Sequence, residues 1–406
     1  MLNVISQTMV SSDHSVPLLL KGSKGNFGTY RDVVHNNQVE KDIVIGIGMD
    51  NKPPSDYQSH YGIKSESGYV EMNFSYKPKR HIISLDRIMM EMENIGKAFV
   101  EKPRKGKNYY YIQDTEKKKY SRSRKIENLD HFLPIYYPMF GYGNSNESDF
   151  VRSRTFHFYM RKLSKQLKLI ESVGPFRVAP NRTYMFTGEY PQNVGIHGEN
   201  TIDILTMDYL KQKRSKEKKN ILLKVIKWFN SCGMSNKIDV KILTDRHYEI
   251  VLSQNVYDQN NEKTPEQNIV DVGFGCSQVL PVLVGGFNLD EGGIFIVEEP
   301  EIHLHPKAQA ELGTFFYNLS KRNIQTFIET HSEHLLLRLQ AHIADPESSL
   351  NPEDVNVYCI YFDDKNVRRI MELSLGENGF FNENWPRGFF PERLQEAKKI
   401  AKRSVK

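Results

Sequence analysis

The stretch Ile294–Leu304, Ile-Phe-Ile-Val-Glu-Glu-Pro-Glu-Ile-His-Leu, restricts the fold more than any other part of the chain. Four apolar residues follow Gly292-Gly293, two acids follow them, and Pro300 stops the run. An apolar run of that length between breakers predicts a central parallel strand covered on both faces. In open α/β sheets, ligands bind beyond the carboxyl ends of such strands. Glu298 and Glu299 fall at that end. Paired acids there suit a magnesium nucleotide: one carboxylate orders the metal and its waters, the other takes a proton from an attacking water. The alternative is a strand end whose acids face solvent.

The flanking segments bear on that choice. Asp271-Val272-Gly273-Phe274-Gly275-Cys276-Ser277-Gln278 leads into an apolar run, Val279-Leu280-Pro281-Val282-Leu283. This reads as a Gly-Ser turn entering a helix, with Pro281 near the helix start. Backbone N–H groups at such a start, with the positive end of the helix dipole, hold anions such as phosphate. After the acids, Pro306–Ser320 predicts a helix with Leu312, Phe315, Phe316 and Leu319 on one face. Ile324–Ile328 predicts a second strand, ending at Glu329-Thr330-His331-Ser332, and Glu333–Gln340 a further helix. A strand–helix–strand crossover places both strands parallel with their carboxyl ends on one edge. Glu298, Glu299 and His331 therefore share that edge, where an imidazole can hydrogen-bond a terminal phosphate or position a water.

The order Gly-x-Gly-x-Ser-Gln, apolar strand plus Glu-Glu-Pro-Glu, then strand plus Thr-His-Ser, resembles ATP-binding-cassette ATPase heads. The nearest branch is that of RecF, SMC and the OLD (overcoming-lysogenisation-defect) nucleases, and within it a group of bacterial AAA-family ATPases with a short C-terminal module. The resemblance implies an α/β, P-loop NTPase-like head with an antiparallel β lobe and a helical insert. It implies ATP and Mg2+ as cofactors. Glu298 would take the metal role, Glu299 that of general base, and His331 that of phosphate sensor. Gly273, Gly275, Ser277 and Gln278 would touch nucleotide across a dimer interface. The tail Trp385-Pro386-Arg387-Gly388-Phe389-Phe390 is similar to the C-terminal module of that group and reads as a packing anchor.

One part of that pattern is missing. Phosphate cradling in this fold needs Gly-x-x-x-x-Gly-Lys-Ser/Thr, and no such string occurs in the 406 residues. Gly22–Gly28 is glycine-rich but reads as a turn, with no helix expected at Thr29-Tyr30. Met1–Val16 has the scattered apolar residues of the last turns of a helix. Set beside its relatives, the chain is expected to lack the first strand, the Walker A loop and half a helix. As given it is then expected to be inactive in hydrolysis. A longer protein, a damaged product, and a partner that supplies the loop all fit that expectation.

Elsewhere the signals organise the chain into four parts. Residues 1–145 form a β-rich lobe, with strands at Ile43–Ile47, Tyr69–Phe74 and Tyr109–Ile112. Residues 146–260 form a helical and mixed insert, opening with a helix over Phe150–Val173. Residues 261–345 are the ATPase core and 346–406 the C-terminal module. In the insert, prolines stiffen Gly174–Arg182 and can fix Arg177 and Arg182, either toward a phosphate or carboxylate or as ordinary bracing of the loop. Val194–Asn200 is a second Gly-rich turn.

Lys plus Arg is 55, Asp plus Glu is 50, and the net charge of +5 does not by itself demand nucleic acid. Three scattered cysteines lack disulfide or zinc spacing, and His303-x-His305 has no further ligand nearby in sequence. No apolar run spans a membrane, and the expected location is cytoplasmic. The expected partners are a second copy or a partner ATPase subunit, a nuclease or effector, and DNA. DNA contact would use the basic, tyrosine-bearing Lys102–Lys125 and the cationic helix Arg152–Lys168. A non-hydrolysing scaffold is the other class. OLD-like relatives fuse such heads to a Toprim nuclease; the segment after His331 has no Asp-x-Asp strand, so no nuclease activity is expected in this chain.

Overall fold

The structure, a computed structural model, describes residues 1–49, 67–92, 96–101, 110–114, 124–126, 129, 131–133, 147–185, 188, 191–212, 220–253 and 265–386. The chain divides into two compact units, Met1–Ile170 and Glu171–Lys406.

The first unit opens with helix α1 (Leu2–Met9), buried along its length from Asn3. Its polar side chains are satisfied locally. Gln7 donates to the Leu19 carbonyl at 2.6 Å, and Thr8 Oγ1 accepts from Leu19 N at 2.8 Å. Strands β1 (Lys21–Gly22) and β2 (Gly25–Asn26) form the expected glycine-rich turn. A short helix α2 (Tyr30–Val33) follows where none was expected. Asp32 accepts from Thr29 N at 2.6 Å, so Asp takes the part that Glu or Gln plays in the usual capping box. Strands β3 (Ile43–Met49), β4 (Gly68–Lys77), β5 (Ile82–Met92), β6 (Gly96–Glu101), β7 (Tyr110–Asp114) and β8 (Arg124–Ile126) form one antiparallel meander in chain order. Val70, Met72 and Phe74 point to its core from β4. A bulge at Asn73/Phe74 shifts the register, so Leu85 and then Ile88, Met90 and Met92 face the same way from β5. Helix α3 (Glu147–Lys168) closes the unit through Tyr159, Met160, Leu163 and Leu167, and Ser6 donates to the Leu167 carbonyl at 2.8 Å.

The helix expected to run to Val173 stops at Lys168, and Ile170–Val173 is strand β9, buried at all four positions. Its apolar residues satisfy either period. Hydrogen bonding to the acid strand decides for extended backbone, and Gly174-Pro175 forbids further helix.

In the second unit, β10 (Tyr184–Met185) precedes helices α4 (Thr201–Gln212) and α5 (Ile221–Cys232). Strands β11 (Lys237–Ile242), β12 (His247–Ser253) and β13 (Gln267–Asn268) complete an antiparallel sheet with β10. Helix α6 (Phe274–Asn288), strand β14 (Ile294–Glu298), helix α7 (Pro306–Ser320), strand β15 (Gln325–Glu329) and helix α8 (Glu333–Ala344) follow in the expected order. β14 lies between β15 and β9 and runs parallel to β15, with Glu298 opposite Glu329. Hairpin β16 (Val357–Phe362) and β17 (Arg368–Leu373) ends the described elements.

Among the described residues the acid strand is covered on one face rather than two. Phe295 and Val297 are fully buried beneath the helices, whereas Ile294, Ile296 and Glu298 are half-buried and Phe327 beside them is 40% exposed. Pro281 is the eighth residue of α6, not a residue of its first turn. Its ring packs against Gly198, where a Cβ would lie 2.4 Å from Pro281 Cγ.

Candidate nucleotide site

The parallel pairing of β14 and β15 brings three sequence-selected residues to one edge. Glu298 ends β14, Glu299 is the next residue, and His331 lies two residues beyond β15. Glu299 adopts φ 44°, in the left-handed region that L residues avoid, and donates its N–H to the Glu329 carbonyl at 2.8 Å. The His331 N–H donates to Glu301 Oε1 at 2.6 Å. Glu301, the third acid of the Glu-Glu-Pro-Glu string, thus braces the loop that carries the histidine. Burial first, then the charges of Glu329 and Glu299, push the Glu298 carboxyl above the usual carboxylate range, with Arg177 acting against them.

Arg177 is 7% exposed and belongs to this edge. One nitrogen of its guanidinium donates to the carbonyls of Glu298 at 2.8 Å and Glu299 at 3.1 Å, and the other to that of Gln278 at 3.2 Å. The proline-stiffened loop therefore fixes Arg177 on backbone carbonyls rather than on a carboxylate or phosphate. Burial lowers its pKa to about 10, opposed by Glu301, Glu299 and Glu298. Arg182 does find a carboxylate, pairing with both oxygens of Asp271 at 2.8 and 2.6 Å. The two glycine-rich loops pair as well: Gly174 N donates to Ile196 O at 2.8 Å and Val178 N to His197 O at 2.9 Å.

The Gly-Ser segment divides. Gly273 is the N-cap of α6, exposed, with open space where a Cβ would sit. Gly275 is a packing glycine, because a Cβ there would meet the His303 carbonyl oxygen at 2.5 Å. Ser277 is buried and donates to the Phe274 carbonyl at 2.9 Å. Gln278 is 3% exposed, and its Nε2 is a buried donor without a partner. The fold thus unites the acids and the histidine, and turns Gly275, Ser277 and Gln278 inward.

Residues 197–336 match the family model described as an AAA ATPase domain. Residues 197–336 are thus similar to an AAA ATPase domain. The matched span takes in the Gly-Ser helix start, the acid strand and His331. No curated protein matches the chain. Among solved structures, the SMC head domain from Thermotoga maritima is 7% identical over 75% of this chain and 73% of its own, with a TM-score of 0.27. The Smc head domain with an extended coiled coil from Pyrococcus furiosus, bound to the C-terminal domain of ScpA, is 10% identical over 100% of this chain and 89% of its own, with a TM-score of 0.32. A structure reported for ATP-driven dimerization and DNA-stimulated activation of SMC ATPases is 13% identical over 46% of this chain and 91% of its own, at a TM-score of 0.26. The described elements make an α/β fold, and the span within it that matches the AAA ATPase domain holds the acid strand.

The acid edge of the ATPase domain fits magnesium nucleotide. Mg2+ is held by one or two carboxylates together with phosphate oxygens and water. Sequence reasoning missed Glu329 and Glu301. The first was legible as the last residue of its strand, the second as the final acid of the motif.

Proposed function

We propose that this chain is a nucleotide-driven ATPase head that closes into a dimer on ATP and reopens on hydrolysis. The observation that carries the reading is the meeting of Glu298, Glu299 and His331 at the carboxyl edge of parallel β14 and β15. Bound Mg·ATP supplies the phosphoanhydride and the charge that makes its terminal phosphate open to attack. Glu298 would hold the metal. Glu299, at the strand tip, takes the proton of the attacking water. His331 donates to the terminal phosphate. Gly273 and the first turn of α6 present N–H groups to phosphate across the dimer, and Gly275, Ser277 and Gln278 shape that turn from beneath. Within this reading residues 1–145, 146–260, 261–345 and 346–406 act as lobe, insert, core and C-terminal module.

No Gly-x-x-x-x-Gly-Lys-Ser/Thr string occurs in the 406 residues. In a second reading the chain supplies its acid edge and helix start to a partner that carries the phosphate-binding lysine. The test is an ATPase assay of the protein from its native locus, with its intact mass measured beside it. Hydrolysis that survives Glu299→Gln refutes the assigned base.

A role in DNA repair or phage defence, with DNA and a nuclease or effector as partners, extends the proposal. One of the similar SMC structures is described by DNA-stimulated activation and another by its ScpA partner. The basic segment Lys102–Lys125 lies largely outside the described residues. DNA affinity that fails to fall steeply with salt would sink this extension. No helix among the described residues is long and apolar enough to cross a membrane; the proposed site of action is the cytoplasm.

A further inference from the structure

We propose that Arg177 is the positioning residue of the acid edge: its guanidinium clamps the strand tip bearing Glu298 and Glu299 to the first turns of α6, so the two move as one body. The inference builds on the ATPase reading above, and it concerns a residue outside the matched span 197–336.

Three features converge on it. The acceptors are the backbone carbonyls of Glu298, Glu299 and Gln278, so the contact sets main-chain position regardless of side-chain rotamer. These carbonyls belong to a strand end and a helix start that are separate in sequence, and one planar fork of donors spans both. The strand tip also needs holding. Glu299 sits at φ 44°, a left-handed conformation unfavourable for an L residue, and it persists only where its surroundings over-determine it. Glu329 O restrains it from the β15 side and Arg177 from the other.

Delivery of the guanidinium is rigid as well. Backbone bonds at Gly174 and Val178 flank Arg177, and Pro175 and Pro180 stiffen the same loop. At 7% exposure, with both terminal nitrogens committed to carbonyls, Arg177 acts as a strut and not as a solvent-facing phosphate ligand. Burying a cation is costly unless it is hydrogen-bonded and lies near negative charge; the three carbonyls and the charges of Glu301, Glu299 and Glu298 offset part of that cost, while burial remains the larger effect and Nε has no partner. A shift of the α6 start caused by a bound phosphate is thereby passed directly to the base on Glu299.

Amide hydrogen exchange of the whole chain tests this without reading hydrolysis, so a failed ATPase assay and a failed clamp are told apart. In Arg177→Gln, exchange is expected to rise at least tenfold at both Glu299–Glu301 and Phe274–Gln278, while α7 stays protected. Arg177→Lys keeps the charge but offers one nitrogen, and is expected to restore protection at one of the two ends only. A rise spread evenly over the second unit in both variants, full rescue of both ends by lysine, or no rise at either end would each overturn the clamp.

Discussion

Gly275→Ala tests the packing of the Gly-Ser helix start against the acid loop. The added Cβ would lie 2.5 Å from the His303 carbonyl oxygen and 3.3 Å from its carbonyl carbon. These are backbone atoms, and His303 itself holds φ 63°, so no side chain can swing aside. Relief requires the α6 start and the His303 turn to separate. Forced overpacking of this kind costs about 1–3 kcal/mol. For a unit of this size that is a fall in Tm of roughly 3–10 °C. Gly273→Ala is the control: two residues away, with φ −55° and nothing within 4 Å of the new Cβ, it should stay within about 0.5 kcal/mol of wild type. Urea denaturation of both variants, with the slope m compared, separates stability from a change in compactness. Equal and small losses in the two variants would refute the assignment of Gly275 to packing and return it to the nucleotide surface.

Three further outcomes follow from the same geometry. Glu298 has a raised pKa in the fold. Its contribution is favourable below its ordinary value of 4.5 and is lost as pH rises through the raised value. Glu298→Gln should therefore melt higher than wild type near pH 7, with the difference closing near pH 4; a scan showing the reverse order would contradict the burial of that carboxyl. Phe315 is 2% exposed and packs against Phe287 and Phe316, so Phe315→Ala should cost about 3–5 kcal/mol in urea. Gly198 sits at φ 74° with Pro281 beneath it. Gly198→Ala should lower Tm and Pro281→Ala beside it should recover part of the loss, a double-mutant coupling that thermal melts can read.

The core order was legible because its signals are local. Gly292-Gly293 and Pro300 bound the acid strand, the spacing of Leu312, Phe315, Phe316 and Leu319 marks α7, and Ser332 caps α8 by accepting from Leu335 N at 3.1 Å. A crossover of that length admits only a parallel pair, so the meeting of Glu298 and His331 at one edge followed from chain order. Short ambiguous runs were less legible. Ile170–Val173 fits a helix by period and became a strand because β14 offers it hydrogen bonds. Thr29–Asp32 escaped notice because Asp replaces the usual Glu or Gln of the capping box.

The amino-acid sequence by itself determined the α/β order, the strand ends that carry the acids, and the residue types able to handle a magnesium nucleotide. These depend on periodicity and on Gly and Pro breaks, which act within a few residues. Tertiary structure alone decided which glycine is open and which is filled, that Ser277 and Gln278 face inward, and that Arg177 grips three carbonyls more than 100 positions away. Such contacts join segments with no local relation. Backbone carbonyls are the same in every residue, so an arginine that binds them leaves no partner to be read in the sequence.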